Sequence, residues 1–431
     1  LWGSDNVAWA AGMQYRYDRD IRDPDRLYDA NATPCVDSPP FGDGAPFCPA
    51  TANGPFLFNA NIRPYDVNRK IYSGFAEVRI PILDSLELTL AGRYEKYEGV
   101  GETFNPKANI RWQATDWFAL RGAVGPTYRA PQATIVNDTF SRGLNNANGT
   151  WRAIDLYGNP NIEPEEAFTY SVGAIFNFDR VNATIDYWDF DFDNPMTAET
   201  ASDLLNLFFP AAAATGLCAN PAYDALEARF TFVPGSCART DILAYRTQYI
   251  NGGSIRTSGV DFQANVEIAE IFGGDLSGGF DGTYLLKYEE DPYFVEGFPT
   301  SAGTIDRAGT YRASIFTGYN KLRANAYLNY ALGIHNFRWQ VRHVSSTTHS
   351  EATPNAIARN VGKPEASKIP EYWQHDLTYR VELPWESSLS VTVQNLFDEE
   401  PPFAIGTQYN YDYGSGNPLG RVIAVSARKR F

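Results

Sequence analysis

The residues best suited to chemistry are aromatic, amide and arginine side chains gathered in long polar segments. Phe140, Trp151, Tyr157, Tyr293, Phe294, Tyr409 and Tyr411 lie in segments that also carry Asn145, Asn146 and Asn148, or Arg129, Arg142 and Arg152. Aromatic faces beside amides suit a sugar, whereas aromatic faces beside arginine suit an anionic chelate. On that basis Arg129, Arg142, Asn145, Trp151, Tyr157, Tyr293 and Tyr409 are the candidate substrate-binding residues, against the plainer reading that they pack their own loops. No catalytic set stands out. His335, His343, His349 and His375 fit strand ends and loops without metal-ligand spacing, so neither a metal nor a cofactor is expected. His349 lies in the hydroxyl-rich stretch Ser345–Ser350, but no third partner completes a triad. Asp186, Asp189, Asp191 and Asp193 offer carboxylates to calcium, yet they read better as a solvated strand end. Gly-rich Asn251–Ser254 reads as a bulge or close-packing site and not as a phosphate cradle.

Composition narrows the setting. A formal net charge of -15 argues against nucleic acid, which selects a basic face. The four cysteines fall as two local pairs, Cys35 with Cys48 and Cys218 with Cys237, each inside a polar Pro/Gly-rich segment. Without a CxxC motif or histidine partners, two loop-closing disulfides in an oxidising compartment fit better than metal. The longest apolar stretch, Leu204–Leu217, is too short for a spanning helix and contains Pro210. The chain opens on Leu1 with no basic leader, which reads as a processed chain or a fragment.

Alternation is the signal that positions these residues. Leu86, Leu88, Leu90 and Tyr94 oppose Glu87, Thr89, Arg93 and Glu95; Leu322, Ala324, Ala326, Leu328 and Tyr330 oppose Arg323, Asn325, Tyr327 and Asn329. Strands of this kind, one face apolar and the other carrying mixed charges and amides, suit lipid outside and a wet lumen inside. About 14 strands follow from the pattern, at 6–18, 68–81, 85–97, 103–114, 116–129, 166–178, 181–193, 241–268, 275–289, 321–332, 336–347, 370–383, 387–397 and 418–431. Short links alternate with long ones, as in barrels that keep turns on one side of a membrane and loops on the other. The pattern blurs around Tyr187–Phe192, where a bulge is expected. Ala198–Phe209 and Pro221–Phe230 have helical spacing inside a long link. Tyr15, Tyr94, Tyr128, Trp112 and Trp373, near strand ends, are expected in interfacial girdles, and the chain ends on Phe431 as a barrel-assembly signal.

Gln394-Asn395-Leu396-Phe397-Asp398 with Glu399-Glu400-Pro401-Pro402, and Gly420-Arg421 leading to Phe431, resemble the last two strands of TonB-dependent outer-membrane receptors. Tyr128-Arg129-Ala130-Pro131, and Asn251-Gly252-Gly253-Ser254 continuing through Thr257-Ser258-Gly259-Val260-Asp261, also resemble that family, in the expected order along nearly the whole chain. Lys429 departs from it, standing where an aromatic or apolar residue is usual. The resemblance implies an all-β transmembrane barrel of 22 strands, of which residues 1–431 supply about 14 C-terminal ones. The plug and coupling segment would lie outside this chain. It further implies active, ligand-specific import across a bacterial outer membrane, with a saccharide or a metal chelate as ligand. Its partners would be outer-membrane lipid and lipopolysaccharide, the barrel assembly machinery and a TonB-type energy-coupling protein acting through the plug. Two other readings remain beside it: a complete 14-stranded passive channel, and a surface or adhesive barrel through which nothing passes.

The cysteine pattern gives the first expected outcome. Non-reducing peptide mapping should recover Cys35–Cys48 and Cys218–Cys237, each worth about 3 kcal/mol in the chain-entropy description. Free thiols or crossed pairs would remove the assignment.

Overall fold

The structure, a computed structural model, describes residues 6–24, 64–137, 139–147, 150–210, 213–312, 317–349, 368–404, 411–412 and 414–430. Fourteen long strands form one antiparallel path in strict chain order. They are β1 (Ala8–Arg22), β2 (Tyr65–Leu83), β3 (Leu86–Tyr97), β4 (Gly101–Thr115), β5 (Phe118–Arg129), β6 (Glu165–Phe178) and β7 (Val181–Asp193). The path continues with β8 (Ile255–Ile271), β9 (Gly274–Glu290), β10 (Leu322–Leu332), β11 (His335–Val344), β12 (Tyr372–Leu383), β13 (Ser387–Gln394) and β14 (Val422–Lys429). At one end the links are turns of two or three residues, at 84–85, 116–117, 179–180, 272–273, 333–334 and 384–386. At the other end, only 98–100 is that short.

Register turns the sequence alternation into two continuous faces. On one, Leu88 pairs with Ile110, Ile110 with Gly122, Gly122 with Val172, Val172 with Tyr187, and Tyr187 with Val260. Further round, Leu328, Trp339, Leu377, Val393 and Ile423 form a second such row. Val172 and Ile423 remain 58% and 66% exposed, a surface that suits hydrocarbon rather than water. The opposite face carries Arg121, Asp186, Asp261, Thr283 and Arg323. Arg121 grips both oxygens of Asp186 at 2.7 and 2.6 Å across Gly173. Gly173 is required there, since a Cβ would lie 1.8 Å from Asp186 Oδ1.

Prolines end one ladder. The last β4–β5 pair toward the loops is Ala108 with Val124, and two steps further the register would set Pro106 against Pro126. Neither can donate, so the strands part there. β1 pairs only with β2 and β14 only with β13, so the ladder that would close a complete 14-stranded channel is absent among the described residues.

Three expectations need correction. The strand expected over 241–268 is two strands: Ile242–Asn251 leaves the wall and joins the loops, while Ile255–Ile271 alone is β8. The break falls at Gly252-Gly253, where a Cβ on Gly253 would sit 2.0 Å from the Asp291 carbonyl oxygen; this stretch is a close-packing site. The bulge expected at Tyr187–Phe192 is not there, because β7 pairs without interruption on both sides. The irregularity lies instead between β8 and β9 at Ser258/Gly259, opposite Trp188, whose ring fills the space of the missing Cβ. His375 lies within β12, stacked on Trp339 at 5.7 Å, rather than at a strand end or in a loop.

Because the two faces differ, they should respond differently to the same charge. Leu328→Arg should cost roughly 2–4 kcal/mol near the bilayer midplane. Asn325→Arg should cost far less, since Asn325 already donates to Asp281 at 2.9 Å on the polar face. Urea unfolding of vesicle-inserted protein reads both; equal penalties would mean that the wall has no lipid face.

Candidate functional site

At the loop end, three links fold into one cap over β5 to β9. The helix Ala201–Phe208 is N-capped by Thr200, whose Oγ accepts the Asp203 N–H at 3.1 Å. Its apolar side packs Leu204, Leu205 and Phe208 against Leu226, Phe230, Ile242 and Tyr245. A second helical segment starts at Pro221, a residue preset for a first turn. Cys218 and Cys237 are disulfide-bonded beside this core. Ile242–Asn251 runs parallel to Thr150–Tyr157, which binds the 130–164 link into the cap. From the next link, Val295 enters the same core and Phe298 stacks on Tyr223 at 4.5 Å.

An ion triad, with Arg229 and Glu199 buried and Glu296 at the edge, ties the 194–254 link to the 291–321 link. Arg229 donates to both oxygens of Glu199 at 3.2 and 3.1 Å and to Glu296 Oε1 at 2.6 Å. The Gln248 N–H donates to Glu199 as well. Burial pushes the Glu199 carboxyl above its ordinary range, and Arg229 opposes that shift. Asn251 clips the base of the cap by accepting the Glu163 N–H at 2.8 Å and donating to the Glu163 and Asn194 carbonyls.

Beneath the cap lies a cavity of about 430 Å³. Its floor takes Phe192, Ile255 and Thr257 from β7 and β8, and its walls take Tyr293, Thr200 and Asp203 from the cap. Arg129, Glu165, Glu290, Arg307 and Arg312 supply its charges, with Asp203 and Asp291. The Tyr293 hydroxyl donates to Asp203 at 2.6 Å. Burial, then the charge of Asp203, raise the Tyr293 hydroxyl well above the ordinary tyrosine range, which keeps it a donor. Glu290 meets Arg307 at 2.9 Å and Arg312 at 3.5 Å.

The structure brings two of the seven candidates, Arg129 and Tyr293, to this one cavity. Arg129 is already paired with Glu165, which removes the free cation on which the anionic-chelate argument drew. Tyr157 lies on the cap hairpin opposite Phe140. Arg142, Asn145 and Trp151 share that hairpin backbone, but their side chains lie outside what is described, as do Tyr409, Cys35, Cys48 and Phe431. Asp203, Glu290, Arg307 and Arg312 were missed because no local spacing marks them; they converge from separate links. Among the described residues, no cluster of three or more His, Cys, Asp or Glu could hold a metal, and the carboxylates weighed against calcium are dispersed: Asp186 binds Arg121, and Asp191 faces Arg256 at 3.4 Å.

A meandering wall with an apolar outer face, a polar inner face and a loop cap defines a transmembrane receptor-type barrel. A family model described as TonB dependent receptor-like, beta-barrel matches residues 1–396, and the chain belongs to that outer-membrane family. Among curated relatives, the probable TonB-dependent siderophore receptor PirA of Acinetobacter baumannii is 27% identical over 135 residues, 30% of this chain and 18% of the relative. The ferric enterobactin receptor of Pseudomonas aeruginosa is 26% identical over 128 residues, 29% of this chain and 17% of the relative. The crystal structure of the siderophore receptor PirA from Acinetobacter baumannii gives a TM-score of 0.61 at 16% identity, over 99% of this chain and 52% of that one. A Pseudomonas aeruginosa ferric enterobactin receptor variant in complex with enterobactin gives 0.62 at 15% identity, over 99% of this chain and 52% of that one. At such identity these structures speak for the fold. The chain spans about half the length of the solved receptors it matches.

The triad generates an expected outcome for the cap. Arg229→Met should strand the Glu199 carboxylate and destabilise the cap by about 3–5 kcal/mol. A carboxyl held above its unfolded value is favoured at low pH, so the defect should deepen as pH rises and ease as pH falls. Limited proteolysis of residues 194–254, read by mass spectrometry, measures it; unchanged cleavage would mean that the triad does not hold the cap.

Proposed function

We propose that this chain is the ligand-selecting barrel portion of an active outer-membrane importer of iron chelates. The observation that carries the reading is the capped cavity at the loop end of a barrel of this family, a chelate-sized space with tyrosine and arginine in its walls. The relatives, siderophore and ferric enterobactin receptors, favour a metal chelate over a saccharide. In this reading a plug and the remaining strands lie outside residues 1–431, the plug contacts an inner-membrane energy-coupling protein, and the apolar face meets lipid and lipopolysaccharide. Arg129 and Tyr293 are the binding residues retained from the sequence; Arg142, Asn145, Trp151, Tyr157 and Tyr409 stay candidates on the surrounding loops. The passive-channel reading lacks, among the described residues, the β1–β14 ladder it requires.

The test uses the full-length receptor in cells starved of iron. Uptake of radiolabelled iron from a ferric chelate should depend on the receptor and stop when the coupling protein is deleted. Uptake that persisted without the coupling protein would favour a passive pore instead.

A further inference from the structure

We infer that Trp188, Phe190 and Phe192 extend the binding site from the capped cavity toward the lumen, as a stacking strip for planar aromatic groups on the chelate. This inference rests on the iron-chelate reading above. The three rings share the face of β7 that carries Asp186, two residues apart, and Phe192 already lines the cavity. Successive ring centroids are 5.6 and 6.0 Å apart, so the rings meet in series over about 13 Å of strand. One row below Trp188, Asp186 and Arg121 line a second concavity of about 670 Å³, together with Asp261. The strip therefore joins two hollows, a capped one above and a polar one in the lumen.

The neighbours keep the strip apolar. Phe192 is flanked in register by Ala167 and Ile255, Phe190 by Thr169 and Thr257, and Trp188 by Ser171 and Gly259. Thr169 donates its hydroxyl hydrogen to the Gly125 carbonyl at 3.0 Å, and Thr257 donates to the Lys287 carbonyl at 3.2 Å. Neither hydroxyl hydrogen beside Phe190 is left for a ligand. Trp188 is held in place, because its ring fills the space that a Cβ on Gly259 would need. Rings that only propped up the cap would be sealed into its core. These three stay half-buried, and none belongs to that core among the described residues. An aliphatic ligand would gain contact area from any apolar surface. Aromatic faces in series favour a planar aromatic group, which gains offset or edge-to-face contact at spacings of this size.

Equilibrium binding to the purified full-length receptor can compare two neutral ferric trihydroxamates built on one scaffold, one carrying benzoyl groups and the other cyclohexanecarbonyl groups. Charge and bulk are matched, and only the planar aromatic face differs. The benzoyl complex should bind about threefold to tenfold more tightly. Phe190→Leu keeps an apolar side chain on the strand but removes the ring, and should bring the ratio of the two affinities to within about twofold of unity. Trp188→Phe retains a ring and should retain most of the ratio, whereas Trp188→Leu should lose it. Equal binding of the two complexes, or a ratio untouched by Phe190→Leu, would overturn the strip and leave the iron-chelate reading intact. Equal weakening of both complexes by Phe190→Leu, with new leakage of a small solute through receptor-loaded vesicles, would assign the rings to seating the plug and overturn the strip as well. Binding of neither complex to the unaltered receptor would overturn the iron-chelate reading and this inference with it.

Discussion

A backbone amide or carbonyl without a partner in hydrocarbon costs several kcal/mol, and this constraint governs the wall. Each strand must be hydrogen-bonded on both sides at membrane depth, so the cheapest connection is to the next strand in the chain. The meander from β1 to β14 and its two- or three-residue turns follow directly. Relief from the constraint is equally visible. Where β4 and β5 reach the Pro106 and Pro126 level, the ladder stops, which is tolerable only where water or loops replace lipid. On β7 the outward side chains change from Ile185 and Tyr187 to Asp189, Asp191 and Asp193, while Trp188, Phe190 and Phe192 turn inward under the cap. The same strand therefore passes from lipid to water outside, and from lumen to a covered apolar floor inside, without changing its backbone.

Above the membrane a different balance holds. The cap has its own apolar core, a disulfide and a fully enclosed Arg229–Glu199 pair, features of a small folded domain rather than of loops. A buried ion pair adds little stability over an apolar equivalent, but it is intolerant of mispairing. Here Glu296 joins the pair from the next link, so its value lies in fixing one relative placement of Glu199, Glu296 and the hairpin carrying Val295. That placement in turn fixes Asp203 and Tyr293 over the cavity.

Much of the wall was legible in the sequence because alternation has a period of two and lipid penalises every lapse in it. The strand count, the two faces and the long-link helices follow from that period and from Pro221. The errors fall where the period persists but its cause does not. Residues 242–251 alternate well because they form a sheet, though in the cap instead of the wall. Around Trp188 the acids appear out of phase because the solvent outside has changed, and no bulge is needed to explain them. The cavity was only partly legible: Arg129 and Tyr293 stand out as loop residues, but the carboxylates that neutralise or orient them come from other links. Charge balance is a three-dimensional sum that no spacing rule records.

The stretches that carried the family resemblance occupy joints of the fold. Asn395, at positive φ, donates to and accepts from the Glu399 backbone, and Asp398 accepts the Arg421 N–H beside Gly420, which together bend β13 into the approach to β14. The Pro131 carbonyl after Tyr128-Arg129-Ala130 accepts from the buried guanidinium of Arg69, which stacks over Tyr97 at 5.3 Å. Asn251 clips the base of the cap, and Gly253 lets Asp291 pass. These positions need particular residues for backbone reasons that any barrel of this design shares. A resemblance built on them identifies the architecture and is silent on the cavity lining, where Asp203, Arg307 and Arg312 arrive from links that those joints do not specify. The residues that set the fold and those that line the cavity are thus largely separate, and only the coordinates bring the second set together.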